Sequence, residues 1–265
     1  MNKGALALLN VYGGDSSDEE VPGPRVSTKR EFRHDSDDAS KPSKLPVPRE
    51  FMDTSVDAEN IDNPALHGGR VRSFRHVRGN WATFVYVPVE ARAGIDELVS
   101  YAESITPPDF GVQRAYDYHI SLTKTVILKH HWIKPFVDAI KTTFVGFNKF
   151  VVFFDEVRVY SNEEKTRTFL GLQTNSGHDS LVSIVHVLDR CLAEFNLPPF
   201  YEDPSFHLSV AWCVGDRERD FAHYLPRINA HLAELKTARS QDNWYILVDR
   251  LVCKIGNKMF EFHVK

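Results

Sequence analysis

The pattern of apolar and polar positions divides the chain from about residue 80 onward into two halves of similar order. In the first half, alternation and helical spacing predict helices at 91–104 and 132–147 and strands at 81–89, 119–124 and 150–160. In the second half, they predict helices at 179–195 and 217–235 and strands at 166–174, 206–213, 244–253 and 259–264. Each half thus follows the order strand, helix, strand, helix, strand, which indicates an internal repeat.

A short motif of the form His-x-Ser lies in the third predicted element of each half. The two copies are His119–Ser121 and His207–Ser209. Because successive side chains of a strand alternate between its faces, the His and Ser of each copy point the same way, while Ile120 and Leu208 point into the core. A duplicated unit would therefore place two imidazoles and two hydroxyls on the walls of one cleft.

Short strands interleaved with helices predict an α+β fold, with two antiparallel sheets that carry helices on their outer faces. We expect residues 66–265 to form this domain. Its lobe halves are predicted at about 80–160 and 166–265, with exchange of strands between them allowed. The candidate site then lies in the central cleft between the lobes.

Residues 1–65 differ in composition from the rest of the chain. They contain 8 Lys or Arg against 13 Asp or Glu, and they include acidic, Ser-rich and Pro-rich stretches. Too little apolar surface is available there to offset the entropy of ordering, so we expect a disordered tail. The remaining 200 residues carry 24 basic against 23 acidic side chains. This balance excludes a strongly basic domain that binds nucleic acid without specificity.

Cysteine usage and hydropathy exclude two further classes of protein. Cys191, Cys213 and Cys253 show no paired spacing, so we expect buried thiols rather than a disulfide framework or a zinc site. No stretch of about 18 apolar residues is present to cross a bilayer, and the amino terminus lacks a signal-peptide pattern. The sequence therefore predicts an intracellular protein that has no membrane partner.

Two histidines on one surface are suited to acid–base chemistry on a phosphodiester without a metal. One neutral imidazole can take a proton from an attacking hydroxyl while the other, protonated, gives one to the leaving oxygen. Ser121 and Ser209 can donate hydrogen bonds to the nonbridging phosphate oxygens. RNA supplies its own nucleophile, the 2′-hydroxyl, whose attack leaves a 2′,3′-cyclic phosphate. Which histidine is the base depends on the direction of the strand and stays open here.

Aromatic and basic residues beside the motifs indicate where a nucleic acid could bind. Tyr201 precedes the second motif, where its ring can stack on a base, whereas Phe206 is interpreted as a core residue. The segment 67–79 contains four arginines. It can guide a phosphate backbone toward the cleft or serve as a strap that packs on the domain.

Longer stretches extend the likeness beyond the two tripeptides. They are 67–83, 164–169, 203–209, 211–213 and 256–258. Together with the paired His-x-Ser strands, they resemble the U6 snRNA phosphodiesterase family of the 2H phosphoesterase superfamily. The resemblance spans roughly residues 67–265 and leaves out the tail.

The resemblance implies a fold and an activity. The fold is that of the 2H phosphoesterases, with two lobes related by a pseudo-twofold axis. The activity is metal-independent 3′-to-5′ removal of terminal uridines or adenosines from the oligouridine tail of U6 snRNA, which leaves a 2′,3′-cyclic phosphate. It further implies a monomer without a cofactor that acts on RNA in the nucleus, in support of splicing.

The resemblance also implies roles for individual residues. It assigns catalysis to His119 and His207 and phosphate binding to Ser121 and Ser209, with no metal ligand. It assigns nucleotide binding to Ile120, Glu163, Tyr201, Pro204, Ser205, Phe206 and Leu208.

Two other functions fit part of the sequence. One is a 2H cyclic phosphodiesterase that acts on small or tRNA-derived 2′,3′-cyclic phosphates, and the other is a non-catalytic RNA-binding splicing factor. The intact His and Ser in both halves favour an enzyme, because a binding protein does not need two matched proton-transfer groups. The aromatic residue Tyr201 and the basic segment 67–79 favour a polymeric substrate.

Overall fold

The structure is a computed structural model that describes residues 77–238 and 244–265, together with Gly69 and Phe74. The predicted tail at 1–65 and most of the basic segment 67–79 lie outside the described residues. The domain has the α+β composition that the sequence predicts.

Strands and helices are interleaved along the described chain. The strands are β1 (Asn80–Pro88), β2 (Gln113–Arg114), β3 (His119–Ser121), β4 (Val126–Lys129), β5 (Phe150–Ser161), β6 (Arg167–Thr174), β7 (His207–Val214), β8 (Tyr245–Val248), β9 (Arg250–Ile255) and β10 (Lys258–His263). The α-helices are α1 (Ala93–Ile105), α2 (Ile133–Phe144), α3 (His178–Glu194), α4 (Glu218–Phe221) and α5 (Leu225–Ala238). Short 3₁₀ turns lie at Pro108–Phe110 and His130–Trp132.

All strand pairings are antiparallel in the described residues, and they form one continuous path. The order is β10-β9-β1-β3-β7-β6-β5-β8, with β4 added to β1 and β2 added to β7. The expectation of two separate sheets is wrong in this respect, because β3 and β7 pair at Ile120 and Leu208 and so join the two lobes. The two motif strands are thus neighbours at the centre of the sheet.

The strand order is symmetric about this central pair. One lobe contains β3, β1, β9 and β10 from the centre outward, and the other contains β7, β6, β5 and β8. Strand β5 belongs to the first half of the sequence but lies in the second lobe, while β9 and β10 make the reverse exchange. The two halves of the chain are therefore interleaved rather than stacked as separate units.

Two predicted elements are interrupted in the structure. The helix expected at 217–235 breaks between α4 and α5, where Pro226 occupies the first turn of α5. Proline has no backbone N–H and is favoured only in the first turn of a helix, so it starts a new one. The strand expected at 244–253 divides at Asp249, because β8 pairs with β5 and β9 pairs with β1 in the other lobe.

One face of the sheet packs into a single apolar core. Val85 and Val87 of β1 are buried on this face, and Phe84 and Tyr86 lie on the other. The buried sides of α1, α2, α3 and α5 belong to the same core. The opposite face of the sheet carries the partly exposed residues of both motifs.

The cysteines follow the prediction. All three are free and buried, and burial raises the pKa of Cys253 to about 12. A thiol with so high a pKa is protonated at neutral pH and unreactive. None of the helices in the described part of the chain has the length and apolar character needed to span a bilayer.

Candidate active site

Strands β3 and β7 bring the two His-x-Ser motifs together on one face of the sheet. Ile120 and Leu208 pair directly in antiparallel register. This register sets His119 opposite Ser209 and His207 opposite Ser121, because neighbouring positions pair in opposite order along the two strands. Each histidine therefore lies across from the serine of the other motif.

Each imidazole is held by a hydrogen bond to the backbone carbonyl two residues earlier in the chain. The Nδ1 atom of His119 lies 2.6 Å from the carbonyl oxygen of Asp117, and Nδ1 of His207 lies 2.8 Å from that of Ser205. A carbonyl oxygen can only accept, so Nδ1 carries the proton and donates it in each case. This tautomer leaves Nε2 of each ring as the atom that exchanges a proton with a substrate.

Aromatic rings pack against each histidine, but they come from different strands in the two lobes. Tyr160 of β5 stacks on His207 with 3.7 Å between ring centroids and 12° between planes. Tyr86 and Phe84 of β1 lie with their centroids 5.1 and 5.8 Å from the His119 ring. These contacts restrict the orientation of both imidazole rings.

A glycine makes the stack of Tyr160 on His207 possible. Gly171 of β6 lies opposite Ser209. A Cβ atom there would stand 2.9 Å from Cδ2 of His207 and 2.9 Å from Cε2 of Tyr160. In the other lobe, Tyr86 occupies the matching position opposite Ser121 and itself packs on His119. The absence of a side chain at 171 thus admits Tyr160 from the next strand.

Burial lowers the pKa of both catalytic candidates. For His119 and His207 the largest cause is the loss of hydration of the charged ring, which the hydrogen bond to a backbone carbonyl partly offsets. A positive charge on His119 lowers the pKa of His207 further. Both rings thus favour the neutral form in the absence of substrate, and an entering phosphate anion favours protonation of one of them.

These depressed pKa values predict a dependence of stability on pH. Below the ordinary histidine pKa of about 6.5, the unfolded chain binds protons that the folded chain resists. The free energy of unfolding should therefore fall as pH decreases from about 7.5 to 5.5, a window above the titration of ordinary carboxyl groups. Urea unfolding at the two pH values measures the difference.

The matched comparison is the variant His207→Gln, which has no imidazole to titrate at this position. Its free energy of unfolding should change less over the same pH window than that of the wild type. An equal change in both proteins would contradict the depressed pKa of His207.

Two residues of the predicted nucleotide pocket meet through a third that the sequence did not single out. Lys124 follows β3, and its Nζ atom lies 2.6 Å from Oε1 of Glu163 and 4.3 Å from the centroid of the Tyr201 ring. Tyr201 remains 43% exposed. Phe200 packs against its ring with 4.9 Å between centroids. Lys124, Glu163, Phe200 and Tyr201 thus form one cluster.

The other predicted pocket residues contribute differently. The Ser205 carbonyl accepts the hydrogen bond from His207, and the Pro204 carbonyl lies 3.2 Å from Nε2 of His178. The side chains of Ile120, Phe206 and Leu208 are at most 2% exposed, so they lie in the core and cannot touch a nucleotide. The burial of these three side chains agrees with their interpretation as core residues, and their nucleotide binding stays a prediction that could involve only backbone groups.

Comparison with known proteins identifies a family to which this chain is similar. A family model described as HVSL, an uncharacterised conserved protein, matches residues 45–263. The U6 snRNA phosphodiesterase 1 proteins of Bos taurus and Homo sapiens are 39% and 37% identical, each over 98% of this chain and 99% of the relative.

A solved structure has a similar fold. That of Kluyveromyces marxianus Usb1 aligns with a TM-score of 0.51 over 71% of this chain and 99% of the other, at 13% identity. Identity at that level supports the fold alone. The resemblance drawn from the sequence motifs is confirmed by the full-length relatives, and the chain belongs to the U6 snRNA phosphodiesterase family.

Proposed function

We propose that this chain is a metal-independent 3′-to-5′ exoribonuclease that trims terminal uridines or adenosines from the 3′ end of U6 snRNA. The observation that supports it most strongly is the central pair of motifs. Two histidines with the same tautomer, each opposite the serine of the other motif, form a compact acid–base site on one open face. The choice of substrate is supported by the full-length relatives, which are U6 snRNA phosphodiesterases.

The chemistry is a transesterification within the RNA. One imidazole takes the proton of the 2′-hydroxyl as its oxygen forms a bond to phosphorus, and the bond from phosphorus to the 5′-oxygen of the terminal nucleoside breaks. The other imidazole, protonated beforehand, gives its proton to that oxygen. The products are a shortened RNA that ends in a 2′,3′-cyclic phosphate and a free nucleoside that carries a 5′-hydroxyl, and no water is consumed.

Ser121 and Ser209 stabilise the charge that develops in this proposed step. They lie on the same face as the two histidines, and their hydroxyls donate hydrogen bonds to the nonbridging oxygens. No three His, Cys, Asp or Glu side chains come together as metal ligands in the part of the chain that the structure describes. The proposed catalysis uses only groups of the chain and the substrate.

The pocket gives the RNA a direction. Tyr201 and Lys124 make contact at the end of the site where Ser121 and His207 lie. A terminal nucleoside bound at Tyr201 presents its 5′-oxygen to His207, while the 2′-hydroxyl of the preceding nucleotide lies near His119. His207 is then the acid and His119 the base.

The function is tested with 5′-labelled RNA that ends in oligouridine, incubated with the protein in EDTA. We expect stepwise shortening from the 3′ end and cyclic-phosphate termini. A 2′-deoxy sugar in the nucleotide before the terminal one should block the first step, because the attacking 2′-hydroxyl is missing. A 3′-phosphate end should also block it.

Several outcomes would contradict the proposal. Loss of all activity in EDTA would indicate a metal enzyme. Activity on small 2′,3′-cyclic nucleotides with none on RNA would favour the cyclic phosphodiesterase. Binding of RNA without cleavage would favour the splicing factor. The proposal also includes action as a monomer in the nucleus, which gel filtration and localisation of the tagged protein would test.

A further inference from the structure

Lys124 connects three separate segments at one end of the site. It follows β3 in one lobe, Glu163 lies in the turn between β5 and β6, and Tyr201 lies in the segment before β7. The ammonium contacts both partners at once, at 2.6 Å from the carboxylate oxygen and 4.3 Å from the ring centroid. The Lys124 side chain thus links the Glu163 carboxylate directly to the Tyr201 ring.

The electrostatics show that all three groups act on one another. Burial is the largest cause that raises the pKa of the Tyr201 hydroxyl, the charge of Glu163 raises it further, and the charge of Lys124 lowers it. The Lys124 side chain is 29% exposed and that of Glu163 is 59% exposed. An unpaired carboxylate in a pocket for RNA would repel the phosphates of the bound strand, and Lys124 offsets that charge.

We propose that Lys124 is a positioning residue that fixes Tyr201 and Glu163 as the pocket for the terminal base of the RNA. This inference rests on the proposed function. The Tyr201 ring offers a stacking surface that any base can use. Glu163 offers a carboxylate oxygen to an N–H donor on the base edge, which both uracil and adenine possess. Lys124 holds these two groups at a fixed separation and cancels the charge of the carboxylate.

The variant Lys124→Met keeps the length of the side chain and removes the charge. We expect KM for oligouridine RNA to rise roughly tenfold, with kcat within about threefold, because the reacting atoms are untouched. Direct binding of uridine 5′-monophosphate, measured by calorimetry, should weaken by a similar factor. The control is Lys165→Met, in the same turn as Glu163. This variant loses a 3.0 Å ion pair with Asp216 but no contact with Tyr201. This control should match the wild type.

The double variant Lys124→Met with Glu163→Gln separates charge from shape. If the unpaired carboxylate is what repels RNA, removing its charge should recover most of the loss in KM. A terminal N3-methyluridine lacks the N–H donor, so the wild type should discriminate against it while Lys124→Met should not. A merely structural role for Lys124 would predict neither the recovery nor the loss of discrimination.

The inference and the proposed function can fail separately. An inactive wild-type protein would overturn the proposed function. Full trimming activity in the wild type with the same KM and the same uridine 5′-monophosphate affinity in Lys124→Met would overturn only the role of Lys124. A double variant no better than the single one would also overturn it.

Discussion

Replacement of either central histidine by alanine is expected to lower kcat for RNA trimming by about 10² to 10⁴-fold, with a much smaller effect on KM. Each ring transfers one proton, and neither β3 nor β7 carries another histidine that could replace it. Single-turnover rates with 5′-labelled oligouridine RNA in EDTA measure the chemical step. His223→Ala serves as the control, because His223 is exposed between α4 and α5.

A substrate with sulfur in place of the 5′-bridging oxygen distinguishes the acid from the base. Sulfur leaves as a thiolate without protonation, so the variant that lacks the acid should regain activity on this substrate. The proposed binding of the terminal nucleoside at Tyr201, with its 5′-oxygen at His207, predicts recovery of His207→Ala and not of His119→Ala. Recovery of His119→Ala alone would reverse the direction of the RNA in the site. Full activity of either alanine variant on ordinary RNA would contradict the two-histidine mechanism.

The local features of this fold could be predicted because they repeat at short range. Alternation along β1, β5 and β7 and helical spacing along α1 and α3 give the order of the elements. The two-residue strand β2 is too short to have a period, so it was missed. The pairing of β9 with β1 joins residues far apart in sequence, and no local pattern specifies it.

The candidate site shows the same division. Both His-x-Ser motifs could be found because each lies within one strand. Lys124 and Tyr160 were missed as site residues, since their contacts with Tyr201 and His207 cross between elements. The one sequence signal for the second contact was Gly171 within a strand, a position that often marks a close approach of another group.

Replacement of Gly171 is expected to cause the second large loss of activity, because the structure leaves no room for a side chain at this position. In Gly171→Ala, the new methyl group would stand 2.9 Å from both His207 and Tyr160, so one of the two rings must shift. Displacement of a reacting group by about 1 Å can cost roughly 10²-fold in rate, and we expect a loss of that order in kcat. Overpacking should also lower the free energy of unfolding by about 1–3 kcal/mol.

A displaced histidine and a weakened fold leave different signatures. Activity lost through unfolding returns on cooling or with stabilising osmolytes, whereas a misplaced His207 stays inactive in a folded protein, as judged by circular dichroism. Gly146→Ala is the matched control, because nothing lies within 4 Å of the added methyl there, and it should keep full activity. If folded Gly171→Ala trimmed RNA at the wild-type rate, the stack of Tyr160 on His207 would have no part in catalysis. Loss of activity with a shifted pH profile would instead tie the position of this ring to proton transfer.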